Sequence, residues 1–168
     1  LLGCDSNFIE SLIVDNNLNL QIANDNYPIQ VVISGSIEEI QKSNNFFLKN
    51  NVKKFIILNV SSAFHSTYMI EAQMELNDYL NNFNLSNNNF RIISNYSAKI
   101  SNDNIDILNS LKNQMANKVR WTESIQTLEK IGKKDIIEIG PGKVLSGLIK
   151  RISKNFDIKS YEKISDLG

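Results

Sequence analysis

The sequence predicts an α/β fold, because short apolar runs typical of strands alternate with longer amphipathic runs typical of helices. In residues 1–60 the predicted order is αββαβ. If Leu1 and Leu2 end a further strand, this unit becomes βαββαβ, a ferredoxin-like module. After His65 the pattern changes, and strands alternating with helices favour a parallel or mostly parallel sheet.

Local patterns place each element. The strands are predicted over residues 18–23, 29–34, 52–60, 90–94 and 135–139. The helices are predicted over residues 8–14, 37–49, 67–80, 105–115, 121–131 and 143–152. Asp5 or Ser6 can cap the first helix, Ser36 and Glu39 form a capping box for the second, and Ser66 can cap the third. Residues 24–28 are a turn by composition.

Composition restricts the class of protein. The 168 residues carry a formal net charge of zero and are 42% hydrophobic, which excludes a disordered chain and a basic field for nucleic acid. The single cysteine, Cys4, excludes an internal disulfide. No run approaches the roughly 18 apolar residues of a membrane span. The chain opens without Met, so we expect its natural N-terminus to lie upstream.

His65 is the only histidine, and it lies at a predicted strand-to-helix junction. A neutral imidazole can accept a proton at one nitrogen while the other nitrogen donates to an orienting acceptor. Ser62 and Ser66 are close in sequence, but no G-x-S-x-G motif occurs in the chain. No Cys or His cluster or paired-carboxylate motif predicts a metal site. From the residues alone, a structural histidine and a general base both remain open.

Gly140-Pro141-Gly142 is a second candidate, because it joins an apolar strand to a helix. The glycines permit a tight turn, and the helix start offers free amide groups. The segment is either a wall of an active-site cleft or a compact strand-helix turn.

Four segments together resemble the malonyl-CoA:acyl carrier protein transacylase family, in its order and approximate spacing. They are Asn24-x-Asn26-x-Pro28-x-Gln30-Val31-Val32-Ile33-Ser34-Gly35, Ala63-Phe64-His65-Ser66, Gln114-x6-Trp121-Thr122-Glu123-Ser124, and Glu138-x-Gly140-Pro141-Gly142-Lys143-Val144-Leu145-x-Gly147-Leu148. The resemblance implies a ferredoxin-like small subdomain (residues 1–60) followed by the C-terminal part of an α/β-hydrolase-like large subdomain (residues 61–168). It also implies that this is the C-terminal half of an enzyme whose nucleophilic serine, oxyanion hole and malonyl-binding arginine lie upstream.

The resemblance also implies roles for single residues. His65 would be the general base that activates the serine, and the backbone carbonyl of Gln114 would orient its imidazole. Asn24 and Asn26 would line the acyl or pantetheine channel, although an Asn-rich turn is the alternative. Phe64 would favour malonyl over branched acyl groups, although core packing is the alternative.

Four basic residues, Lys53, Lys54, Lys150 and Arg151, match positions that carry positive charge in the family. They would form a docking surface for the acidic carrier protein, and ordinary solvated charge is the alternative.

The implied function is malonyl transfer from coenzyme A to acyl carrier protein in type II fatty acid synthesis. The expected partners are acyl carrier protein and malonyl-CoA, with no cofactor, metal, nucleic acid or membrane, and the intact enzyme is expected to be monomeric. This chain alone is expected to be inactive. The alternatives are an acyltransferase domain of a polyketide or type I fatty acid synthase, and a non-catalytic carrier-protein-binding module. The Asn- and Lys-rich composition suggests a plastid-type organelle (apicoplast), with a bacterial cytoplasm as the alternative.

Overall fold

A computed structural model describes residues 1–86 and 90–167. The helices are α1 (Ser6–Asp15), α2 (Ile37–Lys49), α3 (Ile70–Asn81), α4 (Asn104–Asn113), α5 (Trp121–Lys130) and α6 (Val144–Ile152), with 3₁₀ turns at Thr67–Met69 and Ile164–Leu167. The strands are β1 (Gln21–Tyr27), β2 (Gln30–Ser34), β3 (Ile92–Ile93), β4 (Ile100–Ser101), β5 (Asp135–Ile139) and β6 (Asp157–Tyr161). All six predicted helices are confirmed, because capping and apolar spacing are local signals.

The first unit is an antiparallel sheet covered by two helices. β1 pairs with β2, and Leu2 bridges both Gln30 of β2 and Lys54. The strand order across the sheet is therefore Lys54, Leu2, β2, β1, with α1 and α2 as the crossovers. This is the connectivity of the ferredoxin-like module.

The core of this unit lies between the sheet and its two helices. Six residues that are at most 8% exposed form it: Ile9, Ile13, Leu20, Val31, Phe47 and Val52. The Phe47 ring packs edge-on against Phe46 at 5.5 Å and tilted against Phe55 at 6.1 Å. The sheet also contributes to the candidate site, and helices α5 and α6 contact its strand β1.

The predicted turn over residues 24–28 is wrong, because β1 continues to Tyr27 and only Pro28 and Ile29 turn. The polar residues 24–26 can lie in a strand because their hydrogen-bond partners come from distant parts of the chain. Asp25 is buried, and its carboxylate accepts hydrogen bonds from Ser6 Oγ at 3.1 Å and Thr122 Oγ1 at 2.9 Å. Val119 forms a parallel bridge with Asn24, which extends the sheet at the edge of β1.

The predicted strand over residues 52–60 is only partly realised. Lys54 forms its bridge to Leu2, but residues 55–60 belong to no ladder within the described chain. Four apolar residues of this run are more than half exposed: Ile56, Ile57, Leu58 and Val60. A strand needs a neighbour for its backbone groups, and among the described residues none lies beside this run.

The second unit is built on a parallel pair, β5 and β6, in register from Asp135 with Asp157 to Ile139 with Tyr161. Helices α5 and α6 cover one face, where Ile125, Ile149 and Phe156 form a core. On β5, Ile137 and Ile139 are 59% and 82% exposed. Parallel sheets are usually covered on both faces, so this sheet presents an apolar face that no described element covers.

Two strand predictions in this unit need correction. The sequence does not predict β6, because Asp157-Ile158-Lys159-Ser160-Tyr161 alternates in polarity only over its first three residues. The strand predicted over residues 90–94 shrinks to β3, which pairs antiparallel with β4. No helix among the described residues is long and apolar enough to cross a membrane.

Candidate active site

The candidate site is centred on a tight turn that carries His65. His65 adopts a left-handed backbone conformation with φ of 62°, which is uncommon for a residue with a Cβ and is frequent at functional sites. Its backbone N–H donates to Met115 O at 2.9 Å, which fixes this conformation from across the chain.

The imidazole of His65 is oriented by a backbone carbonyl. Nδ1 lies 3.0 Å from Gln114 O, so Nδ1 carries the proton in this contact and Nε2 of the neutral ring is free to accept one. The loop of Gln114 is held in turn by α3, because Gln73 Oε1 accepts from Ala116 N–H at 2.9 Å. An imidazole held in this way has the tautomer that a general base requires.

The serines beside His65 have different environments. Ser66 is fully buried, and its hydroxyl donates to Ala63 O at 2.5 Å. The prediction that Ser66 caps the following helix by its side chain is therefore wrong, because closing the turn occupies the hydroxyl. Ser62 is exposed and lines the cavity described next.

An open cavity of about 730 Å³ adjoins His65. It is walled by the first sheet, including Leu2, Gln30 and Ser34, by the first half of α2 at Ile37, Ile40 and Gln41, and by residues 55–58 and 60–65. The cavity brings together four of the residues singled out from the sequence: Asn24, Asn26, Phe64 and His65. Phe64 is 46% exposed, so among the described residues it is an accessible wall of the cavity rather than core packing.

The four basic residues are exposed but differ in their surroundings. Arg151 lies 5.1 Å from the centre of the Tyr27 ring and donates to its hydroxyl at 3.2 Å. One row across the sheet contains Tyr27, Gln30, Leu2 and Lys54. At the ordinary spacing between strands, Tyr27 and Lys54 at its two ends are roughly 15 Å apart. The stem of Lys53 instead lies against Gly3. Adjacent strand residues face opposite sides, so only Lys54 shares the side of Leu2 and Gln30.

The Gly-Pro-Gly segment forms a capped turn. The Glu138 carboxylate accepts a hydrogen bond from the Ser146 hydroxyl and from the backbone N–H groups of Leu145 and Ser146, at the start of α6. These bonds hold the pKa of Glu138 below its ordinary value. Gly140 and Gly142 have positive φ of 139° and 83°, which explains their residue type. The residues lining the cavity do not include this segment, which favours the turn over the cleft wall.

Three contact residues were missed by the sequence interpretation. Gln21 and Ser34 hydrogen-bond to the His65 turn, and Gln73 to the Gln114 loop. Ser34 stands in the first of the four quoted segments, but no local pattern predicts any of these contacts, because each joins residues at least 30 positions apart. Among the described residues no group of three or more His, Cys, Asp or Glu side chains could hold a metal ion.

Comparison with known proteins identifies relatives over nearly the whole chain, although no family model matches it. The chain is 41% identical over 138 residues to the polyketide biosynthesis malonyl CoA-acyl carrier protein transacylase PksC of Bacillus subtilis, covering 82% of the chain and 48% of the relative. It is 35% identical over 157 residues to the malonyl CoA-acyl carrier protein transacylase of Bacillus subtilis, covering 92% of the chain and 50% of the relative.

Two solved structures extend these likenesses to three dimensions. One is the malonyl-CoA:ACP transacylase of Synechocystis, with a TM-score of 0.88 and 31% identity over 99% of this chain and 56% of that chain. The other shows a type II PKS acyl-carrier protein in complex with its malonyl-transacylase. The match has a TM-score of 0.92 and 28% identity, and it covers 99% of this chain and 55% of that chain. The predicted fold class, a ferredoxin-like small subdomain followed by part of an α/β-hydrolase-like large subdomain, is confirmed.

The fold and the contact between His65 and Gln114 thus occur in a chain that resembles acyl carrier protein transacylases in sequence and in structure. It is similar to malonyl-CoA:acyl carrier protein transacylases over nearly its whole length, and it spans about half the length of the relatives it matches. The relatives named here are bacterial and give no support to the apicoplast expected from composition.

Proposed function

We propose that this chain supplies the general base and one wall of the active site of a malonyl-CoA:acyl carrier protein S-malonyltransferase. The observation that carries the proposal is the 3.0 Å contact between His65 Nδ1 and Gln114 O beside an open cavity. The uncovered apolar face at Ile137 and Ile139 supports a larger enzyme, because such a face needs a further layer.

In the proposed reaction, His65 Nε2 takes the proton of a serine hydroxyl supplied by the rest of the enzyme. The serine oxygen attacks the thioester carbonyl of malonyl-CoA, the C–S bond breaks, and the departing thiolate takes the proton from Nε2. The thiol of the carrier protein's pantetheine arm then gives its proton to Nε2 and attacks the malonyl-serine ester. The serine leaves as alkoxide and recovers that proton. No cofactor enters these steps.

The cavity residues are assigned to the acyl and pantetheine groups. We infer that Asn24 and Asn26 donate or accept hydrogen bonds along this channel, because both line the cavity with His65. Phe64 limits the space for a branch on the acyl group, so the ratio of malonyl to methylmalonyl transfer should fall when Phe64 is replaced by alanine.

The experiment joins this chain to the part of the Bacillus subtilis transacylase that it does not match, giving a fused enzyme. We expect the fused enzyme to transfer malonyl from malonyl-CoA to holo acyl carrier protein, and the 168-residue chain to transfer none. The parent Bacillus enzyme is the control. Mass spectrometry of the carrier protein measures the product.

Three outcomes would change this proposal. A folded fused enzyme without transfer, beside an active parent, would contradict it. Transfer by the 168-residue chain alone would contradict its expected inactivity. Carrier-protein binding without turnover in the fused enzyme would support a non-catalytic binding module.

Polyketide synthesis is the second candidate context, because the chain is 41% identical to a polyketide-associated transacylase and 35% identical to one not so named. The chemistry is the same, and the carrier protein differs. Competition between a fatty acid carrier protein and a polyketide carrier protein for the fused enzyme distinguishes the two contexts.

We place the protein in a bacterial cytoplasm, as for the relatives' hosts, and immunolocalisation in the source cell tests this. A monomeric state stays a prediction.

We further propose that Lys53, Lys54, Lys150 and Arg151 form the docking surface for the acidic carrier protein. The support is the exposure of all four residues and the row across the sheet that ends at Lys54 on one side and, on the other, at Tyr27, which contacts Arg151. Lys53 faces the other side of the sheet, so Lys54 and Arg151 carry the geometric support.

Reversing the charge of Lys54 tests this docking surface. Lys54→Glu should raise the KM for carrier protein in the fused enzyme about five- to tenfold at low salt and leave kcat unchanged, because a rim charge acts mainly on encounter. The effect should shrink as ionic strength rises. Lys49→Glu, on α2, changes the net charge equally and is the control. Equal KM values for the two variants would remove Lys54 from the surface.

A further inference from the structure

The first sheet touches the His65 turn through two polar side chains. Gln21 and Ser34 are directly opposite each other in the β1–β2 register. Directly opposed residues of an antiparallel pair point to the same face. Ser34 stands in the first of the four segments quoted from the sequence and Gln21 in none of them, and no role for either follows from the chemistry described above.

Gln21 holds the residue that begins the turn of helix after His65. Its Nε2 donates to Thr67 Oγ1 at 2.6 Å, and its Oε1 accepts from Thr67 N–H at 2.9 Å. One side-chain amide therefore satisfies both a side-chain and a backbone group of Thr67. This N–H would otherwise be unpaired at the start of the 3₁₀ turn.

Ser34 holds the residue before His65. Its hydroxyl donates to Phe64 O at 3.2 Å. The two contacts thus bracket His65, and both originate on one cross-strand pair of a rigid sheet. The His65 backbone between them is in the left-handed conformation. Such a conformation is strained and persists only when its surroundings hold it.

We propose that Gln21 and Ser34 are positioning residues that set the His65 imidazole on Gln114 O. They touch no reacting atom. Ser34 and Met115 O hold the two ends of the Phe64–His65 peptide, and Gln21 holds the Ser66–Thr67 peptide, so the ring keeps its contact to Gln114. The effect on rate rests on the proposed function, but the effect on the imidazole does not.

The test reads the imidazole directly, because the 168-residue chain contains a single histidine. Nitrogen-15 NMR of the side chain reports which ring nitrogen carries the proton. The test variant is Gln21→Leu combined with Ser34→Ala. Gln21→Glu is the rescue variant, since its carboxylate can accept from both Thr67 groups. Gln126→Leu, an exposed position on α5, is the matched control.

The wild-type chain, Gln21→Glu and Gln126→Leu should show Nδ1–H as the dominant tautomer. In the double variant the ratio of Nδ1–H to Nε2–H should fall about fivefold or more, as expected when an ordinary hydrogen bond is weakened. A loss of stability alone would not move this ratio in the folded state. An unchanged ratio in the folded double variant would overturn the proposal, as would an equal fall in Gln126→Leu.

A kinetic arm uses the fused enzyme and covers the case of a double variant that does not fold as an isolated chain. The double variant should lower kcat about fivefold or more, with the KM for carrier protein unchanged. The single variant Gln21→Glu, which keeps Ser34, should have the kcat of the unsubstituted fused enzyme. An unchanged kcat overturns the proposal's effect on rate. If the tautomer ratio changes in the double variant but the unsubstituted fused enzyme transfers no malonyl, the positioning role stands and the proposed function is rejected.

Discussion

Replacing His65 by alanine in the fused enzyme should lower malonyl transfer about 10²- to 10⁴-fold, the usual contribution of a general acid–base residue. The variant removes the only nitrogen that the described geometry offers as a proton acceptor beside the cavity. Binding should persist, because the walls formed by Asn24, Asn26 and Phe64 are unchanged. The loss should therefore appear in the rate constant of the transfer step, measured from single-turnover transfer to holo acyl carrier protein.

A structural role for His65 would give a different pattern. Asn109→Ala, at an exposed position on α4 outside the cavity lining, should keep transfer near normal. Urea denaturation should show that His65→Ala remains folded, because His65 is only half-buried and its backbone N–H bond to Met115 O survives the substitution. Transfer within about threefold of the unsubstituted enzyme would remove His65 from the mechanism.

The helices were predictable because their signals are contained in a few consecutive residues. The Ser36 hydroxyl accepts from Glu39 N–H, and the Glu39 carboxylate accepts from Ser36 N–H, as the capping box predicted. Asp5 caps α1 by the same local rule. The predicted parallel strand over residues 135–139 agrees with β5 because its apolar run is bounded by turn residues on both sides.

The strand errors have a common cause in partners distant along the chain. Asn24, Asp25 and Asn26 have turn composition, yet Thr122 satisfies Asp25 from 97 positions away. The run over residues 55–60 has strand composition, yet the described chain offers it no neighbour. Composition indicates which backbone conformations a segment can adopt, whereas strand formation also depends on the neighbouring segment that pairs with it.

The site was predictable only in part for the same reason. The residues alone left His65 open between a structural and a catalytic role. Its contact to Gln114 spans 49 positions and followed from the family resemblance, not from spacing. Gln21 lies outside the quoted segments, and Ser34 lies within one of them but without an assigned role. Their importance depends on the β1–β2 register and on the path of the His65 turn.

Replacing Phe47 by alanine should lower the free energy of unfolding of the chain by about 3–5 kcal/mol, the cost of removing a buried phenylalanine ring. Phe47 is fully buried among Ile9, Val31 and Val52, with its ring against Phe46 and Phe55, so its loss leaves a cavity that two helices and a sheet cannot easily close. Phe83→Ala removes a ring that is 63% exposed and should change stability by less than about 0.5 kcal/mol. Urea denaturation followed by circular dichroism measures both. A Phe47→Ala loss as small as that of Phe83→Ala would show that the first sheet does not form its core around this ring. Because the same sheet carries Gln21 and Ser34 to the His65 turn, we expect the tautomer ratio of His65 to report the unfolding of this unit at the same urea concentration.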